Sequence, residues 1–189
     1  MMVILLHIGT KWDLKTKDMA TALFITQQDL VRNSIIDGST DYSKIIQFVK
    51  IAQIIDIQNL LGTDLYNKIS ADIISGAAGG AGLTGNYLKL VNEFVQPTLI
   101  WFAQMNYIPF SAYSISNKGI LKGSSETAQN VDKNEVDYLV SKAREYANYY
   151  STRLVDYLCF NSSLFPEYTS NTNNDISPDT DTTFNGWVL

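Results

Sequence analysis

Residues 132–160 read DKNEVDYLVSKAREYANYYSTRLVDYLCF, and this stretch carries the clearest helical pattern in the sequence. Apolar residues recur along it at intervals of three or four, which is the spacing of one face of an α-helix. Asp132 and Glu135 have the spacing of a capping box, in which the carboxylates accept from free N–H groups of the first turn. The pattern predicts a helix about 40 Å long, at roughly 1.5 Å per residue. Its apolar seam consists of Val136, Leu139, Ala143, Ala147, Tyr150, Leu154 and Leu158.

The preceding sequence predicts further helices separated by turns. They are expected at about 27–35, 42–61, 64–75 and 86–113. Gly62 suits the end of one helix, and Thr63 or Asp64 can cap the helix that follows. Pro97 has no N–H to donate, so the fourth of these helices should kink or break near residues 95–96.

Two of these helices should form most of the core. Polar side chains recur at every third position of 42–61, and nearly all positions between them are apolar, so this helix should be buried on most sides. The polar residues are Lys44, Gln47, Lys50, Gln53 and Asp56. Large apolar side chains also make 86–113 the expected central helix. These side chains are Trp101, Phe102, Met105 and Phe110.

A small β-hairpin and two extended ends complete the prediction. Residues 115–121 read ISNKGIL. Asn117, Lys118 and Gly119 suit the bend of a hairpin within about 114–131. The first residues of the chain lack a helical period, and the last are rich in Ser, Thr, Asn and Asp. Phe184 and Trp187 make the end of this polar tail apolar again, which indicates a docking peptide.

The expected fold is all-α, a helical bundle in one domain with a small hairpin and two arms. The bundle should span 26–165, between an extended N-terminal arm at 1–25 and a polar C-terminal tail at 166–189. A chain of 189 residues has the usual size of a single domain. With 46% hydrophobic residues it can bury a sizeable core.

The charge distribution argues against nucleic-acid binding, and the hydropathy argues against a membrane span. From Glu167 onward the chain has four acidic residues and no Lys or Arg, which leaves 15 acidic and 14 basic residues in 1–166. Affinity for DNA comes largely from cationic side chains that displace counterions, so a nearly neutral body predicts no specific grip on nucleic acid. No stretch approaches the roughly 20 apolar residues of a membrane span.

No residues in the sequence form a recognisable catalytic, cofactor or metal site. A single His and a single Cys exclude a His or Cys metal cluster and an intrachain disulfide. Residues 80–85 read GAGLTG, but a predicted helix rather than a strand precedes them, so they indicate a helix–helix connection. Cys159 has no base near it in the sequence. The sequence therefore predicts a protein that is not an enzyme and needs no cofactor.

Four segments resemble the head-to-tail connector (adaptor) proteins of tailed bacteriophages, as found among Bacteroides and crAss-like phages. They are IIDG at 35–38, IQNLLGTDLY at 57–66, ISNKG at 115–119, and YY at 149–150 with RLVDYL at 153–158 and SSLFPEY at 162–168. Each motif is short, and their order and spacing carry the resemblance over about 25–168. Residues 1–18 and those after Tyr168 match this pattern less well.

The resemblance implies a structural subunit of a ring in the virion neck. Such a ring is twelvefold and lies beneath the portal. It continues the DNA channel without binding DNA specifically, and later neck or tail proteins bind to it. The protein would be made in the cytoplasm of the bacterial host. The candidate partner contacts are Asn117, Lys118, Gly119, Phe184 and Trp187, and the hairpin could face the channel, a neighbour or the portal. The alternative is a helical interaction or regulatory module outside the virion.

Overall fold

A computed structural model describes residues 22–36, 40–111, 113–116, 119–122, 132–172 and 175–180. Within these residues the protein is predominantly helical, and the prediction of an all-α fold is confirmed. The α-helices are α1 (Gln27–Asn33), α2 (Tyr42–Ala52), α3 (Gln58–Leu61), α4 (Thr63–Ala77), α5 (Gly85–Leu90), α6 (Gln96–Ser111), α7 (Lys133–Phe160) and α8 (Pro166–Ser170). A short 3-10 turn, Ser162–Leu164, joins α7 to α8.

Two π-turns connect helices into longer continuous rods. The first π-turn (Gln53–Ile57) joins α2 to α3, and the second (Val91–Val95) joins α5 to α6. The second ends at Val95, within the stretch where the sequence predicts a kink or a break. The helix does not break there, and its winding changes instead, because a π-turn rearranges the hydrogen bonds next to a residue that has no N–H.

The core is built around α6, which packs against both α2 and α7. Its buried side chains are mostly aliphatic and include two polar ones. They are Thr98, Leu99, Ile100, Ala103, Gln104 and Ile108. The expectation that its large side chains form the core is wrong in detail. Trp101, Phe102 and Met105 are only half-buried, and Phe110 is 54% exposed. These rings pack instead at the sides of α6, where Trp101 contacts Tyr146 and Phe110 contacts Phe48.

The apolar seam predicted for α7 is buried only beyond its first third. Ala143, Ala147, Leu154 and Leu158 are fully buried, as the spacing predicts. Leu139, by contrast, is 40% exposed. No residue of 133–142, a segment that we call the α7 start, is buried. The α7 start therefore carries apolar side chains that the described part of the chain does not cover.

Two short strands lie between α6 and α7. β1 (Tyr113–Ser116) pairs antiparallel with β2 (Gly119–Lys122), with Tyr113 opposite Lys122 and Ser116 opposite Gly119. Residues 117–118, which the sequence places at the bend of a hairpin, lie outside the described residues.

The end of the predicted N-terminal arm belongs to the core. Phe24 and Ile25 are 2% and 3% exposed. The Gln53 side chain accepts from the Phe24 N–H at 2.9 Å and donates to the Ala22 carbonyl at 2.7 Å, while Gln96 donates to the Phe24 carbonyl at 3.2 Å. Side-chain amides of the helical part therefore pair with the backbone N–H and carbonyl groups of this segment. In a β-sheet a neighbouring strand would pair with these groups. Residues 1–21 lie outside the described part of the chain.

Much of the predicted polar tail also packs against the helices. Tyr168 of α8 is 4% exposed. Residues 171–172 and 175–180, which we call the C-terminal strap, cross the junction between α3 and α4. The Thr63 N–H, at the start of α4, donates to the Ile176 carbonyl at 3.0 Å, and the Asp64 N–H donates to the Asn171 side chain at 3.4 Å. The strap thus replaces the cap that the sequence assigns to Thr63 or Asp64.

Candidate interaction surfaces

Most residues predicted to contact partners lie outside the described part of the chain. These are Asn117, Lys118, Phe184 and Trp187. Gly119 is the exception, because it begins β2 opposite Ser116. The partner contacts assigned to these five residues therefore stay predictions.

One apolar surface lies on the continuous helix over 42–61. Ile51, Ile54 and Ile55, which we call the isoleucine stripe, are 43%, 50% and 57% exposed. The sequence predicts burial on most sides of this helix and assigns Gln53 to its polar face. Both parts are wrong at this point of the helix, because Gln53 is fully buried and the three isoleucines face outward.

The first π-turn and the hydrogen bonds of Gln53 explain this reversal. The turn begins at Gln53, and its wider winding changes which later side chains face the core. The Gln53 amide binds the backbone of residues 22 and 24, and it also donates to the Tyr66 hydroxyl at 3.0 Å. A buried amide is stable when its polar atoms are paired in this way. The spacing of residues along the helix gives no information about these distant partners, so the sequence pattern could not predict that Gln53 is buried.

A second apolar surface, which we call the α7 surface, lies on α7. It consists of Tyr138, Leu139, Tyr146 and Tyr149, which are 61%, 40%, 46% and 64% exposed. The Tyr146 ring packs on Trp101 of α6, with centroids 4.6 Å apart. α6 contacts both α2 and α7, and the α7 surface and the isoleucine stripe lie on different helices. Tyrosine has an apolar ring and a polar hydroxyl, which suits surfaces that become partly dry on association.

Asp56 is the most perturbed carboxylate among the described residues. Its partial burial raises its pKa to about 6, against the opposing effect of a hydrogen bond with Asn106. Its Oδ2 atom is buried and has no hydrogen-bond partner among the described residues. The hydrogen-bond partner given for its side chain is the neutral amide of Asn106, and a single carboxylate with such a partner does not by itself make a catalytic arrangement.

A second polar cluster joins α4, α5 and α8. The Tyr87 hydroxyl donates to Glu167 Oε2 at 2.6 Å. Burial raises the pKa of Tyr87, and the Glu167 carboxylate raises it further. Lys68 pairs with Asp72 at 2.6 Å and lies 5.2 Å from the centre of the Tyr87 ring. Every one of these groups has a partner within the chain, so the cluster links three helices.

A cleft of about 300 Å³ lies beside the second π-turn. Its polar groups are the side-chain amides of Asn33, Asn92 and Gln96 and the hydroxyl of Tyr150, and its apolar walls are Pro97, Ile100 and Trp101. Amides can position a ligand by hydrogen bonds, but they supply neither a nucleophile nor a general base.

Metal binding and membrane insertion each require an arrangement that the described residues do not provide. In this part of the chain no three His, Cys, Asp or Glu side chains come together as a metal site would require. None of the helices described above combines the length and the apolar character needed to span a membrane.

Comparison with known proteins places much of the chain in a protein family. The model of DUF6712, a family of unknown function, matches residues 57–178. The matched region runs from the end of the first π-turn to the C-terminal strap. No curated protein and no solved structure matches the chain.

Proposed function

We propose that this chain, which belongs to the DUF6712 family of unknown function, is a structural subunit of a ring in a virion neck. The ring joins the portal to the tail and continues the DNA channel. The resemblance of the sequence to phage connector proteins supplies the biological setting. The surfaces described above supply the physical support for a subunit that associates with copies of itself.

The α7 surface is the observation that carries this proposal. The α7 start has no buried residue, although it includes Tyr138 and Leu139. A helix that carries exposed apolar side chains along three turns gains free energy when another surface covers them, at about 25 cal/mol per Å². The surface is not wholly apolar, because Lys142 lies near Tyr138 and Tyr146 and pairs with Glu145 at 2.7 Å. Exposed aromatic side chains with polar groups around them are typical of an interaction site.

A ring requires that each subunit use two different surfaces. The contact is heterologous, so a patch on one subunit meets an unrelated patch on the next. The α7 surface and the isoleucine stripe are two different exposed surfaces on different helices, which is compatible with this requirement. The strands β1 and β2 precede the α7 start in the chain, which makes the hairpin a candidate contact with a neighbour, the portal or the channel.

The charge of the chain suits a channel that DNA passes through. The sequence has 14 basic and 19 acidic residues. Tight binding to DNA requires a surplus of cationic side chains along the contact. A channel wall without such a surplus would let DNA pass without holding it. The virion neck is accordingly the proposed location, and the portal and further neck or tail proteins are the proposed partners.

Light scattering and electron microscopy of the purified protein, alone and with portal, test the proposal. Closed rings are expected for the natural chain. Replacing Leu139 with Ser should weaken ring formation while far-UV circular dichroism keeps its helical signal. Leu88→Ser is a matched control, because Leu88 is 42% exposed and Leu139 40% exposed, and it should leave the rings intact.

Three outcomes would contradict this function or the surface that carries it. A chain that stays monomeric at high concentration and ignores portal assemblies is not a ring subunit. Absence of the protein from purified virions, measured by mass spectrometry, would favour the interaction or regulatory module instead. Equal loss of rings in the Leu139 and Leu88 variants would exclude the α7 surface as the contact.

A further inference from the structure

The isoleucine stripe is an exposed apolar surface with almost no charge. Between Ile51 and Asn59 the only charged residue is Asp56, and its side chain bonds to Asn106 of α6. Ile51, Ile54 and Ile55 are spaced as one face of a helix. The segment that covers such a face should itself be apolar and uncharged.

The C-terminal strap runs toward this stripe. As the strap runs forward in sequence, its contacts on α3 and α4 run backward. Ile176 bonds to Thr63, and Pro178 packs on Gly62. The Asp179 N–H then donates to the Asn59 carbonyl at 3.1 Å. The strap is therefore antiparallel to α3. Asn59 lies one helical turn after Ile55, and its side-chain amide donates to the Ile55 carbonyl. The Asp179 carbonyl also accepts from the Tyr168 hydroxyl at 2.6 Å, and the Thr180 carbonyl lies 3.9 Å from Cys159 Sγ near the end of α7. The described strap therefore ends beside α3 and the end of α7, about one helical turn from the stripe.

The residues that follow the strap have the length and the chemistry to cover the stripe. Ile55 and Ile51 lie about 6 and 12 Å before Asn59, at roughly 1.5 Å per residue. An extended chain advances roughly 3.3 Å per residue, so Phe184 can reach about 16 Å and Trp187 about 26 Å from Asp179. Residues 184–189 read FNGWVL, with four apolar residues and no charge.

We propose that residues 184–189 bind along the isoleucine stripe of their own chain, antiparallel to the helix. Phe184 packs near Ile55, and Trp187 packs near Ile51. The inference goes beyond the proposed ring, because it concerns a contact within one subunit. If both hold, the flank that meets a neighbour includes Phe184 and Trp187 together with the stripe.

Disulfide trapping in the full-length chain tests this contact. In a Cys159→Ser background, Ile55→Cys and Phe184→Cys are combined and the protein is treated with a mild oxidant. An intrachain disulfide is expected, identified by mass spectrometry of the monomer band. The control combines Ile74→Cys with Phe184→Cys, because Ile74 is also an exposed isoleucine, at 45%, but lies on α4. The tether keeps both pairs at high effective concentration, so contact should raise the yield by about tenfold or more over the control.

The possible results separate this inference from the ring itself. Equal yields for the two pairs, or a disulfide that forms only between chains, would overturn the intrachain contact. Ring formation is measured on the same samples by light scattering, so the ring proposal stands or falls independently of the disulfide.

Oxidative footprinting supplies a measurement without new cysteines. When the chain is shortened to end before Phe184, oxidation of Ile51, Ile54 and Ile55 by hydroxyl radicals should rise several-fold, while that of Ile74 stays constant. Unchanged oxidation of the stripe would overturn the inference, whatever the oligomeric state of the shortened chain.

Discussion

Two segments that the sequence places outside the helical domain are held to it in opposite ways. The segment 22–25 inserts Phe24 and Ile25 into the core. The C-terminal strap leaves Asp175, Ser177 and Asp179 exposed and attaches through hydrogen bonds to Thr63 and Asn59. Burial of apolar side chains holds the first segment, and pairing of polar groups at the start of α4 holds the second.

This difference indicates how each segment contributes to stability. Burial contributes about 25 cal/mol per Å², so loss of the N-terminal segment removes a part of the core. A hydrogen bond contributes only about 1 kcal/mol net, because water replaces it when it breaks. The strap should therefore detach while the helices stay folded, whereas the N-terminal segment should leave only when the core opens.

Phe24→Ala should lower stability more than any other single substitution proposed for the two segments. Phe24 is 2% exposed, and its ring centre lies 5.1 Å from that of Tyr66. Loss of a buried phenylalanine costs about 4 kcal/mol, because apolar contacts are lost and a cavity remains. Urea denaturation followed by circular dichroism measures this change. Ile176→Ala in the strap is the comparison, and equal losses in the two variants would abolish the distinction between the segments.

Gln53→Leu tests whether hydrogen bonds also hold the N-terminal segment. Leucine keeps most of the volume but leaves the Phe24 N–H and the Ala22 carbonyl without their partner. Each buried unpaired group costs roughly 1–3 kcal/mol, so a total loss of about 3 kcal/mol is expected in the same urea experiment. Gln47→Leu on the exposed face of α2 should cost almost nothing. A small loss for Gln53→Leu would mean that water replaces the amide.

Gly62→Ala tests the attachment of the strap. Gly62 has φ of +74°, and a Cβ atom there would lie 2.8 Å from Pro178 Cδ. Backbone strain of this kind costs roughly 2 kcal/mol, and the strap must also move aside. Limited proteolysis should then cut the strap faster while the segment 22–25 stays protected.

Gly79→Ala separates the two causes. Gly79 has a similar φ of +85° but no atom within 4 Å of its added Cβ. It should therefore lower stability without exposing the strap to protease. If both alanine variants expose the strap equally, its contact with Gly62 does not hold it.

The sequence predicts elements that repeat regularly and misses contacts between distant residues. The all-α class, the ends of α7 and the buried half of its seam follow from spacing and capping alone. Gln53 could not be placed, because its partners lie 29 and 31 residues away and a π-turn shifts the helical phase at the same point. The position of the strap could not be predicted either, because it is held largely through backbone N–H and carbonyl groups. Every residue type carries such a carbonyl, so amino-acid composition does not indicate these contacts. The partner contacts predicted at Asn117 and Trp187 lie outside the described residues.

Asp56 gives the smallest effect and tests whether the two segments are coupled. It lies three residues after Gln53 and three before Asn59, between the two attachments. Burial raises its pKa from 3.8 to about 6 in the folded chain, so the folded state binds more protons and stability falls as pH rises from about 4 to about 6. A shift of this size corresponds to about 3 kcal/mol, which solvent screening at a half-buried carboxylate reduces to about 1 kcal/mol. Asp56→Asn should remove this pH dependence. If the helix couples the two attachments, both segments of the natural chain should be cut faster by protease as the pH rises from about 4 to about 6. If only the strap responds to pH, the N-terminal segment is held independently.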